Sequence, residues 1–331
     1  MPDYSQSFIN NKFYDKVLIN SILFRRLYPI ICCVSATDIP VLILGETGTW
    51  KPLFARIIHN NSRRKRGKLL VVDFRDSSKD SLEIELFGQD YRDFSHSKVR
   101  RIGKLEQANG GSILLNEIGE MPYVFQSRLL QVIQDQEIHP VGGNEIISTD
   151  VRIIATASKN LELAVKAGKF REDLYYRLAV FPITVPPLRE YHENIEFLAN
   201  QLFKITAKRV GKPITNITSE TMKILMNYDW PGNFQELANV IEYAVDQETS
   251  NMLQTSSLPE EIRENGQSYD SLSKNHYINS GRIIPLEEIE RQALINALKI
   301  TDNNVQLTAN ALGINRATVY RKLGKYHLLE R

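Results

Sequence analysis

An apolar run, Val41-Leu42-Ile43-Leu44, leads directly into Gly45-Glu46-Thr47-Gly48-Thr49-Trp50-Lys51-Pro52, and a helical pattern, Leu53-Phe54-Ala55-Arg56-Ile57-Ile58, follows at once. Strand, glycine-bearing loop and helix in this order are the context of a phosphate-binding P-loop, G-x-x-x-x-G-K-[ST]. Such a loop wraps phosphate with successive backbone N–H groups and the positive end of the following helix. Two positions depart from the motif: its second glycine is Trp50 and its Ser/Thr is Pro52. Left-handed backbone at a tryptophan costs roughly 1–2 kcal/mol, and the indole is expected to compete for the phosphate volume. Pro52 removes a backbone N–H, although proline suits a first helical turn. Lys51 remains to reach a phosphate; a strand–helix turn with a surface lysine is the plainer alternative. Gly45, Glu46, Thr47, Gly48, Thr49 and Lys51 form the candidate cradle.

Further motifs follow in order. They are Glu85-Leu86-Phe87-Gly88, then Gly103-Lys104-Leu105-Glu106-Gln107-Ala108-Asn109-Gly110-Gly111, then the apolar strand Ser112-Ile113-Leu114-Leu115 running into Asn116-Glu117-Ile118-Gly119-Glu120-Met121-Pro122. Phe170-Arg171-Glu172-Asp173-Leu174-Tyr175-Tyr176-Arg177-Leu178, Pro186-Pro187-Leu188-Arg189-Glu190 and Trp230-Pro231-Gly232-Asn233-Phe234-Gln235-Glu236-Leu237 complete the set. Together they resemble the central AAA+ domain of bacterial enhancer-binding proteins, the sigma-54-dependent transcription activators, over roughly residues 15–250. The resemblance implies an α/β P-loop core with a parallel sheet, a helical lid, and ATP with magnesium as cofactor.

Residue by residue, the implied chemistry is eroded. The family's Walker B strand ends in Asp-Glu, the Asp helping to hold magnesium and the Glu polarising water; here the pair is Asn116-Glu117. Asparagine keeps an oxygen but loses the charge a hard cation favours. The family's asparagine that restrains the catalytic glutamate aligns with Asp73, so two carboxylates are expected to face each other, raising one pKa or pushing apart. The sensor-II arginine is Gln235, whereas the sensor-I region, Ala155-Thr156-Ala157-Ser158, keeps a polar group. Arg171 and Arg177 match the arginines this family offers in trans to a neighbour's nucleotide; an ion-paired subunit contact is the alternative. The family's sigma-contacting GAFTGA loop falls on Arg92-Asp93-Phe94-Ser95-His96-Ser97, where only Phe94 and the hydroxyl of Ser95 correspond.

The C-terminus carries a separate signal. Apolar residues at Ile289, Ala293 and Ala297, and at Leu294 and Leu298, have helical spacing. Two short helices then meet at Leu312-Gly313-Ile314, a helix-turn-helix that resembles the Fis-type domain of the same family. Asn315 caps the second helix. Arg321, Lys322 and Lys325 are candidates for phosphates, Arg316 and Thr318 for base edges, with Tyr320 beside them. Fis-type domains dimerise, which implies a palindromic DNA site.

A net charge of +2 over 331 residues places DNA affinity in a local patch rather than in the whole chain. The basic run Arg63-Arg64-Lys65-Arg66 reads as a solvated loop. Arg25, Arg26 and Asp38 interrupt the apolar stretch from Val17 to Leu44, so no membrane span fits. Adjacent Cys32 and Cys33 rarely pair with each other and are expected to be buried thiols in a reducing, cytoplasmic and nucleoid-associated setting. No metal-ligand cluster is evident. The expected organisation is a lead (1–15), an α/β core (16–187), a helical lid (188–250), a linker (251–284) and the DNA-binding domain (285–331). The short lead leaves no room for a receiver domain, so control is expected through expression, a partner or a ligand on the core.

These features point to a sequence-specific DNA-binding transcription regulator with an inactive AAA+ domain. Such a protein would act in dimers or rings with RNA polymerase holoenzyme, without remodelling sigma-54. A divergent working ATPase, or a non-catalytic subunit of a related activator, are the alternatives.

Overall fold

The computed structural model describes residues 17, 19–75, 79–92, 98–143, 145–158, 160–264, 290–291, 294–295, 297–298, 301 and 304–326. The chain divides into two compact units, Met1–Tyr269 and Asp270–Arg331.

In the first unit, α1 (Ile22–Ser35) precedes β1 (Val41–Leu44), α2 (Lys51–Asn60), β2 (Leu69–Asp73), α3 (Lys79–Phe87), β3 (Gln89–Arg92), β4 (Lys98–Arg101), α4 (Lys104–Gln107) and β5 (Ser112–Asn116). There follow α5 (Tyr123–Asp135), β6 (Glu137–Ile138), β7 (Ile147–Ser148), β8 (Arg152–Ala157), α6 (Leu161–Lys166), α7 (Glu172–Leu178) and β9 (Phe181–Thr184). The main sheet runs β2-β5-β8-β1-β9, all parallel. Parallel strands covered on both faces read as unbroken apolar runs, and every residue of β5 and β8 is buried. Pro182 lies in edge strand β9, where a missing N–H costs the ladder nothing. One apolar cluster joins α1 and α2 to the lid; the other fills the opposite face beneath α3, α5 and α7.

The lid comprises α8 (His192–Val210), β10 (Asn216–Ile217), α9 (Ser219–Asn227), α10 (Asn233–Gln247) and β11 (Met252–Leu253). It does not stop at residue 250, where the sequence suggested a linker. Strand β11 pairs with β10, and Leu253, Leu258 and Ile262 are buried. Polar Ser and Gln residues disguise this segment; three apolar side chains carry it. Residues 265–284, the rest of the expected linker, lie outside the described residues, as does the 1–15 lead.

Two other expectations change. Cys32 and Cys33 are exposed, because Leu23, Phe24, Ile31 and Val34 define the buried face of α1 and both cysteines fall off it. Within the basic run, Arg64 is a clasp rather than a solvated charge: it meets Asp38 at 2.9 Å and Asp150 at 2.6 Å. Arg63, Lys65 and Arg66 are exposed as expected.

In the second unit, α11 (Val305–Ala311) and α12 (Arg316–Lys325) pack around Leu294, Ala309, Val319 and Leu323. Gly313 sits at φ 64° in the turn, and Ile314 N–H closes the end of α11 on Ala309 O at 3.0 Å. Of the expected preceding helix, Leu294 is buried, while Ile289 and Ala293 lie outside the described residues.

Glu248 ties the end of the lid together. Its Oε1 accepts from Thr249 N (3.0 Å) and Ser250 N (2.9 Å), and its Oε2 from Gln254 N (2.7 Å) and Ser257 Oγ (2.8 Å). Burial pushes the carboxyl up, but the Ser250 and Gln254 amides and the Ser257 hydroxyl outweigh it and bring it down to about 2. A pKa depressed from 4.5 contributes stability fully above that pH and loses it as pH falls toward about 2. Glu248→Gln is expected to destabilise the first unit by about 2 kcal/mol at pH 7. In denaturant titrations the gap from the parent should narrow progressively below pH about 4.5.

Candidate functional site

The loop between β1 and α2 keeps its backbone form despite its side chains. Gly48 has φ 80° and Trp50 φ 57°, ψ 31°, the left-handed backbone from which anion-binding nests are built. Trp50 accepts the strain expected of it. Its indole does not lie across the loop: it stacks on Phe234 of α10, centroids 5.1 Å apart and planes at 26°. Trp50, which stands where the P-loop motif has glycine, thus meets an aromatic of the lid. Pro52 is tolerated in the first turn of α2.

The lid reaches the loop through several further contacts. Gln235 N–H donates to Gly48 O at 3.2 Å. Buried Asn233 donates to Thr47 O at 2.9 Å and accepts from Leu188 N at 2.8 Å. Arg189 forks Glu46 at 2.7 and 2.5 Å and holds that carboxyl below its usual range.

Lys51 is turned inward rather than presented. It is 2% exposed. Its Nζ donates to Gly45 O (2.9 Å), Glu46 O (3.1 Å) and Ser158 Oγ (2.6 Å), and pairs with Glu117 Oε1 at 3.1 Å. Burial pushes its pKa down, opposed by the Glu117 charge and reinforced by that of Arg75. Glu117 sits in left-handed backbone at φ 56°, a strain its N–H bond to Thr156 Oγ1 (3.0 Å) helps hold. Its carboxylate accepts Ser158 N at 2.8 Å and Ser158 Oγ at 2.7 Å. Ser158, the surviving sensor-I polar group, thus bridges Lys51 and Glu117.

Asp73 and Glu117 do not oppose each other as expected. Asp73 is the register partner of Asn116 across β2 and β5. It accepts Asn116 Nδ2 at 2.5 Å and is forked by Arg75 at 3.0 and 2.7 Å. Burial would raise its pKa, but Arg75 and Asn116 outweigh burial and hold it below the usual range. Asn116 Oδ1 accepts from Thr156 Oγ1 at 2.6 Å, so both ends of its amide are engaged. Arg75, which sequence reading did not single out, lines a cavity of about 530 Å³ with Trp50, Leu53, Gln235, Asn239 and Val240. Its only sequence signal was a basic residue two places after β2.

Arg171, the residue before α7, is forked to Asp173 in the first turn of that helix at 3.0 and 2.8 Å, while Arg177 is exposed. Phe94 and Ser95 lie outside the described residues; β3 and β4, on either side of them, pair antiparallel.

On α12, Asn315 Oδ1 accepts from Thr318 N and Thr318 Oγ1, both at 2.8 Å, so the Thr318 hydroxyl serves the cap. Lys322 pairs with Glu290 at 2.5 Å. Arg316, Ala317, Tyr320, Arg321 and Lys325 are exposed, with the Arg316 guanidinium 5.6 Å from the Tyr320 ring centre. Ala317 is the addition that side-chain polarity alone did not suggest.

A parallel P-loop sheet under a helical lid, with a helix-turn-helix beyond, defines an AAA+ transcription-regulator architecture. The sigma-54 interaction domain family matches residues 17–184, the AAA+ ATPase lid domain 189–275, and the Fis family of bacterial regulatory proteins 285–326. The transcriptional regulatory protein ZraR of Escherichia coli (strain K12) is 39% identical over 299 residues, covering 89% of this chain and 65% of that protein. The signal-transduction and transcriptional-control protein of Clostridium beijerinckii is 38% identical over 318 residues, 95% of this chain and 49% of that one. The crystal structure of NtrX from Brucella abortus in complex with ADP matches with TM-score 0.68 and 32% identity, over 93% of this chain and 69% of that one. The chain belongs to the family of sigma-54-dependent transcriptional regulators. It spans about half to two thirds of the length of these curated relatives.

Trp50→Gly should relieve left-handed strain of about 1–2 kcal/mol while losing the stack and opening a void worth about 3–5 kcal/mol. The expected net loss is about 2 kcal/mol, read by thermal or denaturant unfolding.

Proposed function

We propose that this chain is a sequence-specific DNA-binding transcription regulator whose AAA+ unit serves as a frame for oligomerisation and protein contacts. It holds nucleotide without turning it over and does not remodel sigma-54 polymerase. The observation that carries this reading is the closed network around the Walker B pair. Asn116 brings no charge and both ends of its amide are engaged, while Glu117 is held by Lys51 and Ser158. A glutamate bound in this way is not poised to polarise water. The residues fit a nucleotide better than they fit its magnesium: the loop's left-handed positions and apolar walls remain, but the charged Walker B ligand and the hydroxyl at position 52 are gone. Gln235 supplies no sensor charge.

A second reading is supported by Arg177. It stays exposed although the chain's own site is eroded, which suits a subunit that completes a neighbouring intact activator's site in trans. Localisation to the cytoplasm and nucleoid, and a palindromic operator, accompany both readings.

Purified protein at high concentration with Mg-ATP, with and without DNA, should release phosphate no faster than its Glu117→Gln variant. Trp50→Gly should not restore turnover, because Asn116 and Gln235 remain. Phosphate release well above the variant would make this a divergent motor instead.

For DNA, Arg316 and Tyr320 are the proposed reading face, with Asn315 as cap and Arg321 and Lys325 at the phosphates. Arg321→Ala should weaken binding across sequences and lower the log–log salt slope by about 1. Arg316→Ala should cost about 1–3 kcal/mol at one base pair and relax specificity there. Lys322→Ala should change the slope less, since Glu290 already holds that ammonium. Fluorescence anisotropy over a salt series measures all three.

A further inference from the structure

We infer that the cavity beside the P-loop takes a nucleoside polyphosphate without a divalent metal, the fixed guanidinium of Arg75 supplying the positive charge. This rests on the nucleotide-holding reading above.

The donor set leaves little for magnesium. A hard dication needs anionic oxygens that are open to it. Asp73 carries both of its oxygens in bonds: Arg75 N and Nε reach Oδ1 at 3.0 Å each, and Arg75 Nη2 and Asn116 Nδ2 reach Oδ2 at 2.7 and 2.5 Å. Glu117 spends Oε1 on Lys51 and Ser158 and Oε2 on the Ser158 amide. Thr49, fully buried, gives its hydroxyl to Glu46 O at 2.7 Å. Pro52 has no oxygen to offer from its side chain.

The site keeps a carboxylate, but not on the strand that ends in Asn116. Asp73 and Asn116 face each other across one rung of the ladder. The carboxylate stands on the outer strand β2, the edge of the sheet. There it anchors an arginine. The Arg75 side chain, forked on Asp73, remains 39% exposed and lines the cavity. A guanidinium tethered by two parallel hydrogen bonds is a pre-organised cation with little freedom left to lose on binding. Its charge also reaches Lys51, whose pKa it helps to lower.

The walls suit the rest of such a ligand. Trp50, Leu53 and Val240 give flat and apolar surface, and Gln235 and Asn239 give amides across the cavity. An apolar cleft with a few polar groups and one fixed charge is the chemistry of a heterocycle bearing phosphates.

Isothermal titration of the full chain with ATP tests this, once with excess magnesium and once with EDTA. The expected result is affinity equal within two-fold in the two buffers. Arg75→Ala should weaken ATP at least ten-fold in EDTA, with Arg75→Lys intermediate, and thermal unfolding confirming that each variant is folded. Affinity ten-fold weaker in EDTA overturns the inference and leaves the non-hydrolysing regulator standing. An Arg75→Ala chain that binds as well as the parent does the same. No ATP binding in either buffer removes this inference and the nucleotide-holding reading together. Magnesium-dependent phosphate release in the parallel assay would instead overturn the proposed function itself.

Discussion

The rest of the first unit is organised by how closely the lid approaches the P-loop backbone. A Cβ placed on Gly48 would lie 2.0 Å from Gly232 O. The lid can approach this closely only because Gly48 carries no side chain on the facing side. The Gln235–Gly48 bond, the Asn233 amide and the Arg189–Glu46 fork all gather on this seam. Trp50 and Phe234 then extend it with aromatic surface. The lid's position on the core is thus set by contacts internal to the chain. A ligand entering the cavity meets a lid already seated, and has correspondingly little to reorganise.

Much of this was legible beforehand, and for definite reasons. The fold followed from motif order, because strand, loop and helix signals are local and each motif has one place in the sheet. The buried parallel strands were visible as unbroken apolar runs at Val41–Leu44 and at 113–115. The erosion at Trp50, Asn116 and Gln235 was equally visible. What the eroded residues do instead was not, since each answer lies in a long-range contact. Nothing local to Trp50 names Phe234, and nothing local to Asn116 names Asp73 as its hydrogen-bond partner. The expectation of facing carboxylates failed because Arg75 stands between sequence identity and charge balance. Cys32 and Cys33 were misplaced by composition where phase along α1 decides burial.

The second helix of the helix-turn-helix, α12, repeats the lesson on a smaller scale. Polarity marked Arg316 and Thr318 for base edges and Arg321, Lys322 and Lys325 for phosphates, with Tyr320 beside them. The structure divides them: Thr318 completes the cap, Lys322 is held by Glu290, and Arg316 lies near Tyr320. Ala317, which polarity did not mark, is exposed as well.

The pairing of Asp73 with Asn116 also ties the two positions to each other. Changing Asn116 alone to aspartate would set two carboxylates where a 2.5 Å hydrogen bond now joins acid to amide, and like charges so close repel strongly. Changing Asp73 alone to asparagine would strip Arg75 of its anchor and leave neither strand with an acid at this rung. Either single change leaves the other side chain without the partner it now has. The two positions are thus energetically coupled, and their effects are not additive.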